Sequence, residues 1–189
     1  MKIVLTGAPG SGKTTLIETL GELGEQTVPE AAIDVIQALV KEMGLSEQDE
    51  WRRGDPLGFQ QRIYRHQTEL EAILDPSRRS FLDRGTLDGL AYLEMFNTHA
   101  PESFKVELAA HHYDHIFFIE PLNLDNLDLR QESGRNDSVE EAAKLVELLQ
   151  AVYRKNGYTI HRIPPLPVAE RAQYVLDLAN SLERETASR

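Results

Sequence analysis

The chain has no cysteine among its 189 residues. That excludes disulfides and cysteine-based metal sites, and it suits a reducing compartment. Long apolar runs are missing as well, none approaching the roughly 18 residues of a membrane span. The first residues pass straight into a short apolar run, so no signal peptide is expected. Positive charge is scarce: 20 lysines and arginines face 31 acids, a net charge of −11. Broad electrostatic binding to nucleic acid or to an anionic membrane is thereby disfavoured. Basic residues persist only in small groups, Arg52–Arg53, Arg62 with Arg65, Arg78–Arg79, and Arg130 with Arg135. Repeats, low-complexity tracts and linkers are absent too. A single domain spanning 1–189, soluble and cytoplasmic, is expected.

Against these absences stands one dense stretch, IVLTGAPGSGKTTL from Ile3 to Leu16. Its Gly7-Ala8-Pro9-Gly10-Ser11-Gly12-Lys13-Thr14 segment fits the phosphate-binding pattern G-x-x-x-x-G-K-[ST] in full. Ile3–Leu5 reads as a buried strand, and Thr14–Leu23 as a helix with Leu16, Leu20 and Leu23 on one face. Glycines let backbone N–H groups converge on phosphate oxygens, and the helix dipole adds to the attraction. Residues Gly7 to Thr15 are therefore expected to bind a nucleoside triphosphate. Lys13 would reach its β- and γ-phosphates, and the Thr14 hydroxyl would help hold Mg²⁺.

Strand and helix signals alternate along the rest of the chain. Strands are expected at Gln26–Pro29, Ser80–Asp83, His115–Ile119 and Tyr158–Ile163. Between them lie helical patterns, including Ala32–Met43, Leu57–Leu74, Thr86–Phe96, Pro101–His111, a helix opened by the Ser138–Glu141 capping box, and a closing helix after Pro167. Ser46–Pro56, polar and charged around Trp51, reads as a loop that closes over something. This alternation implies a parallel sheet covered on both faces.

Open α/β sheets bind ligands at the carboxyl ends of their strands. There the sequence places Glu30, Asp83-Arg84 and Glu120. Asp83 could hold Mg²⁺ directly or through water, and Arg84 could neutralise the transferring phosphoryl group. Glu30 could accept a proton from a substrate hydroxyl. Glu120, followed by Pro121, reads as capping or structural. Trp51, Arg52, Arg53, Phe59, Gln60, Gln61, Arg62 and Tyr64 supply stacking, amide and cationic groups near a substrate, with Gln61 and Arg62 singled out. His111, His112 and His115 lack the acid or cysteine partners of a metal site.

GAPGSGKTTL, VPEAA, FLDRG, HIFFIEP, a late Arg-rich segment and the turn from Gly157-Tyr158 into a helix carrying Glu170-Arg171 together resemble the P-loop kinases of the nucleoside and nucleotide kinase group. Within that group the chain is similar to the small ATPase-domain family that includes the nicotinamide riboside kinase part of bacterial NadR proteins. The resemblance covers nearly the whole chain. It implies a three-layer α/β/α P-loop fold with five parallel strands ordered 2-3-1-4-5. It also implies a substrate region at about 30–75 and a lid at about 122–137. By the same resemblance Asp83-Arg84 matches the acid–arginine pair of these kinases, and Glu30 the acid used as base. Arg130 and Arg135 fall in the lid, where such enzymes place arginines on the transferring phosphates.

Three functional classes compete. The foremost is an ATP- and Mg²⁺-dependent kinase acting on a small nucleoside- or nucleotide-like acceptor. A nucleotide-binding regulatory ATPase or GTPase is the second, although no guanine-specifying N-K-x-D occurs and the chain is short for an AAA+ machine. A polynucleotide 5′-kinase is the third, and the acidic balance weighs against it.

Overall fold

The computed structural model describes residues 1–121 and 139–188. A parallel sheet carries the fold. Its strands are β1 (Lys2–Thr6), β2 (Gln26–Val28), β3 (Ser80–Asp83), β4 (His115–Ile119) and β5 (Ile160–Ile163). They lie in the order β2-β3-β1-β4-β5, as the resemblance implies. The central register sets Leu5 of β1 beside Asp83 of β3 and Phe117 of β4, so β3 ends one residue short of β1, and β1 one residue short of β4.

Alternation along the strands separates two cores. Ile3, Leu5, Phe81, Phe117 and Ile119 face one way and pack against α1 (Lys13–Glu22) and α8 (Val168–Ala187). Val4, Leu82, Ile116 and Phe118 face the other way. There they meet α5 (Asp88–Met95), α6 (Glu102–Ala109) and α7 (Val139–Lys155). Helix α1 buries Leu16, Ile17 and Leu20; Leu23, expected on that face, lies beyond its end and is exposed. In α8, Ala172, Val175 and Ala179 are buried, whereas Val168 is exposed.

Between β2 and β3 run α2 (Ala31–Met43), α3 (Leu45–Gly54) and α4 (Pro56–Ala72). Helix α3 occupies the stretch expected to be a loop. It lacks an apolar stripe, which hid it from periodicity, yet most of its residues, Leu45, Glu47, Gln48, Glu50, Arg52 and Arg53 among them, are good helix formers. Asp49 pairs along it with Arg52 and Arg53, each at 2.9 Å. Gly44 separates it from α2 at φ 95°, a conformation that ends helices cheaply only for glycine. Helix α4 opens cleanly: Asp55 accepts a hydrogen bond from Gly58 N at 2.8 Å, and Pro56 stands at the first helical position. Its buried residues are Gln60, Gln67 and Glu71, a polar stripe turned inward. Among the described residues, no helix is long and apolar enough to cross a membrane.

Candidate functional site

The loop from Gly7 to Gly12 joins β1 to α1 at the carboxyl edge of the sheet. Gly7 passes so close to β4 that a Cβ there would lie 2.6 Å from the Ile119 carbonyl oxygen. Only glycine fits. Gly10 and Gly12 take positive φ values of 73° and 83°, the turn a phosphate-cradling loop requires. Lys13 opens α1 but folds its ammonium back into the loop. Its Nζ donates to the Gly7 carbonyl at 3.2 Å, the Ala8 carbonyl at 2.8 Å and Ser11 Oγ at 3.3 Å. Burial, helped by the nearby Arg84 charge, pulls its pKa from 10.5 to about 8, against the raising effect of Asp83, Glu30 and Asp88.

Asp83 ends β3 fully buried. Its Oδ2 accepts from the Thr14 hydroxyl at 2.9 Å, while Oδ1 has no hydrogen-bond partner among the described residues. Burial raises its pKa, and Glu30 adds to the rise while Lys13 and Arg84 oppose it. An orphaned carboxylate oxygen beside a hydroxyl is the hard-oxygen donor set Mg²⁺ takes, with phosphates and water completing its shell. Among the described residues, no cluster of three or more His, Cys, Asp or Glu could hold a metal on its own.

Arg84 follows in the left-handed region at φ 73°, a strained setting for a side chain. That turn sends its guanidinium to three partners at once. Nε lies 3.2 Å from Glu30 Oε1, Nη1 lies 3.2 Å from Asp88 Oδ2, and Nη1 also donates to the Gly7 carbonyl at 3.4 Å. Glu30 precedes α2 yet caps no backbone N–H of that helix; it is buried against Arg84 instead. Asp88 carries the assembly from below, accepting from the Thr6 hydroxyl at 2.9 Å and the Tyr153 hydroxyl at 2.6 Å. The sequence offered one clue to Asp88, its position four residues after Arg84 at the start of a helix.

Beyond Glu30 and Arg84 opens a cavity of about 330 Å³ between α2, α3, α4 and α5. Gln60, Gln67, Tyr64 and Thr86 bring polar groups to its lining, and Phe59 and Ile63 bring apolar ones. Arg52 reaches it from α3, with its guanidinium 5.3 Å from the Phe59 ring centre. Of the residues expected to act together, Glu30 and Arg84 line the cavity, while Lys13 and Asp83 stand outside its lining within electrostatic reach of both. Gln61 and Arg62 do not line the cavity. Gln61 is exposed on α4, and Arg62 pairs with Glu42 at 2.9 Å and lies over Trp51. Arg130 and Arg135 lie outside the described residues, as does Ser138 of the capping box. Glu120 pairs through its side chain with Arg162 at 2.9 Å.

The sequence matches an AAA domain family over residues 2–171. No curated protein sequence matches it. Several solved structures share the fold. Deoxyadenosine kinase from M. mycoides, with the products dCMP and dCDP bound, superposes with a TM-score of 0.66 at 15% identity. That superposition covers 96% of this chain and 100% of the kinase. NadR in complex with NR gives 0.67 at 16% identity, over 96% of this chain and 49% of NadR. Thymidylate kinase from Ehrlichia chaffeensis gives 0.60 at 18% identity, over 95% of this chain and 98% of the enzyme.

Proposed function

The chain belongs to this AAA domain family, and from the site built above we propose that it transfers the γ-phosphoryl group of ATP to a small nucleoside- or nucleotide-like acceptor. One observation carries the reading. Arg84 touches the loop carbonyl of Gly7 on one side and the Glu30 carboxylate on the other, so donor loop and acceptor cavity share a wall. A regulatory switch without an acceptor has no need of that cavity. The kinases sharing the fold support the same reading.

In the reaction proposed, an acceptor hydroxyl in the cavity attacks the γ-phosphorus while the bond to the bridging oxygen of ADP breaks. Glu30 takes the hydroxyl proton, and ADP leaves with the electron pair. Lys13 gives up its carbonyl contacts for the β- and γ-phosphates, and the loop N–H groups hold them in place. Arg84, fixed by Glu30 and Asp88, sets its charge beside the group in transit. Mg²⁺, held by Thr14 and Asp83, would neutralise charge on the phosphates. Arg130 and Arg135 complete the proposal as the arginines that the resemblance sets on the transferring group. One domain then carries both halves of the site, and a cytoplasm rich in ATP suits it.

Labelled ATP incubated with pooled nucleosides and nucleotides tests this directly. Label is expected in a small acceptor, and Lys13→Ala is expected to reduce transfer about 10³-fold or more. Phosphate release alone, indifferent to every acceptor and lost in the same variant, would favour the regulatory ATPase.

A further inference from the structure

Arg171 stands one turn before Val175 on the buried face of α8 and is only 2% exposed. A guanidinium is costly to bury unless its N–H groups are bonded. This one bonds to two backbone carbonyls far away in sequence. Nη1 donates to the Ser11 oxygen at 2.8 Å, and Nη2 to the Glu120 oxygen at 3.4 Å.

The first carbonyl matters for what lies across its peptide. The Ser11 oxygen and the Gly12 N–H belong to one planar trans unit and point in opposite directions. A guanidinium drawing Ser11 O toward α8 therefore turns Gly12 N–H away from α8. Ser11 N bonds the Ala8 oxygen at 3.3 Å and the Gly12 oxygen accepts from Leu16 N at 3.1 Å, but neither bond is made by the Ser11–Gly12 peptide itself, and Gly12, at φ 83° without a Cβ, leaves that peptide freer to turn. The second carbonyl ties the same side chain to the end of β4, where Gly7 is already pressed against Ile119. Both ends of the loop are thus referred to one strand end.

We propose that Arg171 is a positioning residue for the triphosphate, acting through the Ser11–Gly12 peptide by presetting the Gly12 N–H toward a phosphate oxygen. The role rests on the loop being an ATP site. It separates donor from acceptor, because Arg171 is not among the residues that line the cavity.

Three variants test it: Arg171→Met, Arg171→Lys and, as a control, Arg79→Gln. Arg79 also reaches α8, through Asn180 at 2.7 Å, but touches no residue of the loop. Binding of a slowly hydrolysed ATP analogue is measured first, then KM for ATP and for the acceptor, with melting temperatures alongside. Arg171→Met is expected to weaken ATP binding and raise its KM about tenfold, leaving the acceptor KM within about twofold. Arg171→Lys, reaching one carbonyl only, should fall between it and wild type. Arg79→Gln should lower the melting temperature and leave ATP affinity unchanged. Unchanged ATP affinity in a folded Arg171 variant, or equal losses for ATP and acceptor, would overturn the role. If the Met variant does not fold, Lys decides alone on the same criteria. Wild-type protein that bound no ATP would overturn the function and the role together.

Discussion

The two halves of the site are built in opposite ways. On the donor side, one contiguous loop presents backbone to the ligand, and its side chains mostly serve that backbone: Lys13 bonds loop carbonyls, and Arg171 fixes a loop peptide. On the acceptor side, the surface is made largely of side chains from several helices, with Gln60, Gln67 and Tyr64 spaced along α4 and Arg52 coming from α3. Backbone recognition suits a ligand part common to every nucleotide. Side-chain recognition can change one residue at a time, so specificity belongs to the second half.

Glu30→Gln should divide the halves most sharply. The amide keeps the shape but cannot take a proton, so transfer should fall about 10²–10⁴-fold while ATP binding stays near wild type. Turnover and analogue binding measured on the same preparation check this; equal turnover would remove Glu30 as the base. Next in size is a pH effect confined to the donor half. Lys13 titrates near 8 in the empty protein and at about 10.5 when unfolded. Triphosphate needs the charged ammonium, so ATP affinity should weaken above pH 8, by about tenfold at pH 9 against pH 7. Calorimetry in buffers of different ionisation heat should record proton uptake on binding there. The sign for stability is the reverse. Between pH 8 and 10.5 the unfolded chain binds the extra proton, so the nucleotide-free protein should gain stability as pH rises through that window. Smallest should be the acceptor-side change: Gln60→Leu should raise the acceptor KM about fivefold and leave that for ATP alone. Gln61→Leu, one residue along, should change neither.

That last pair also shows where the sequence stops being informative. A helix turns about 100° per residue, so a choice between Gln60 and Gln61 is a choice of face, and α4 carries polar residues on both faces. Its inward stripe of Gln60, Gln67 and Glu71 looks like a solvent face until the neighbouring elements are in place. Helix α3 escaped for a related reason, since its support is ion pairs along its own surface instead of an apolar stripe. The donor half was legible because its chemistry is local: strand, loop and helix follow one another in a single stretch. The sheet was legible for a similar reason, as runs such as Ile116–Ile119 have few other homes in a protein of this composition. Asp83, Arg84 and Glu30 could be found as acids and bases at strand ends. Asp88 and Arg171 could not be reached in that way, because their meaning depends on partners from other parts of the chain.

Those partners have a temporal consequence. Asp88 is completed by Thr6, 82 residues before it, and by Tyr153, 65 residues after it. Arg171 meets Ser11 across 160 residues. During synthesis the phosphate loop leaves the ribosome well before its partners, for the carboxylate that steadies Arg84 waits for α7, and the peptide at Gly12 waits for α8. A nascent chain displays the nucleotide-binding signature long before it has a complete site. Competent capture of ATP thus comes only after α8 has been made, and a product interrupted before it would carry the motif without the complete site.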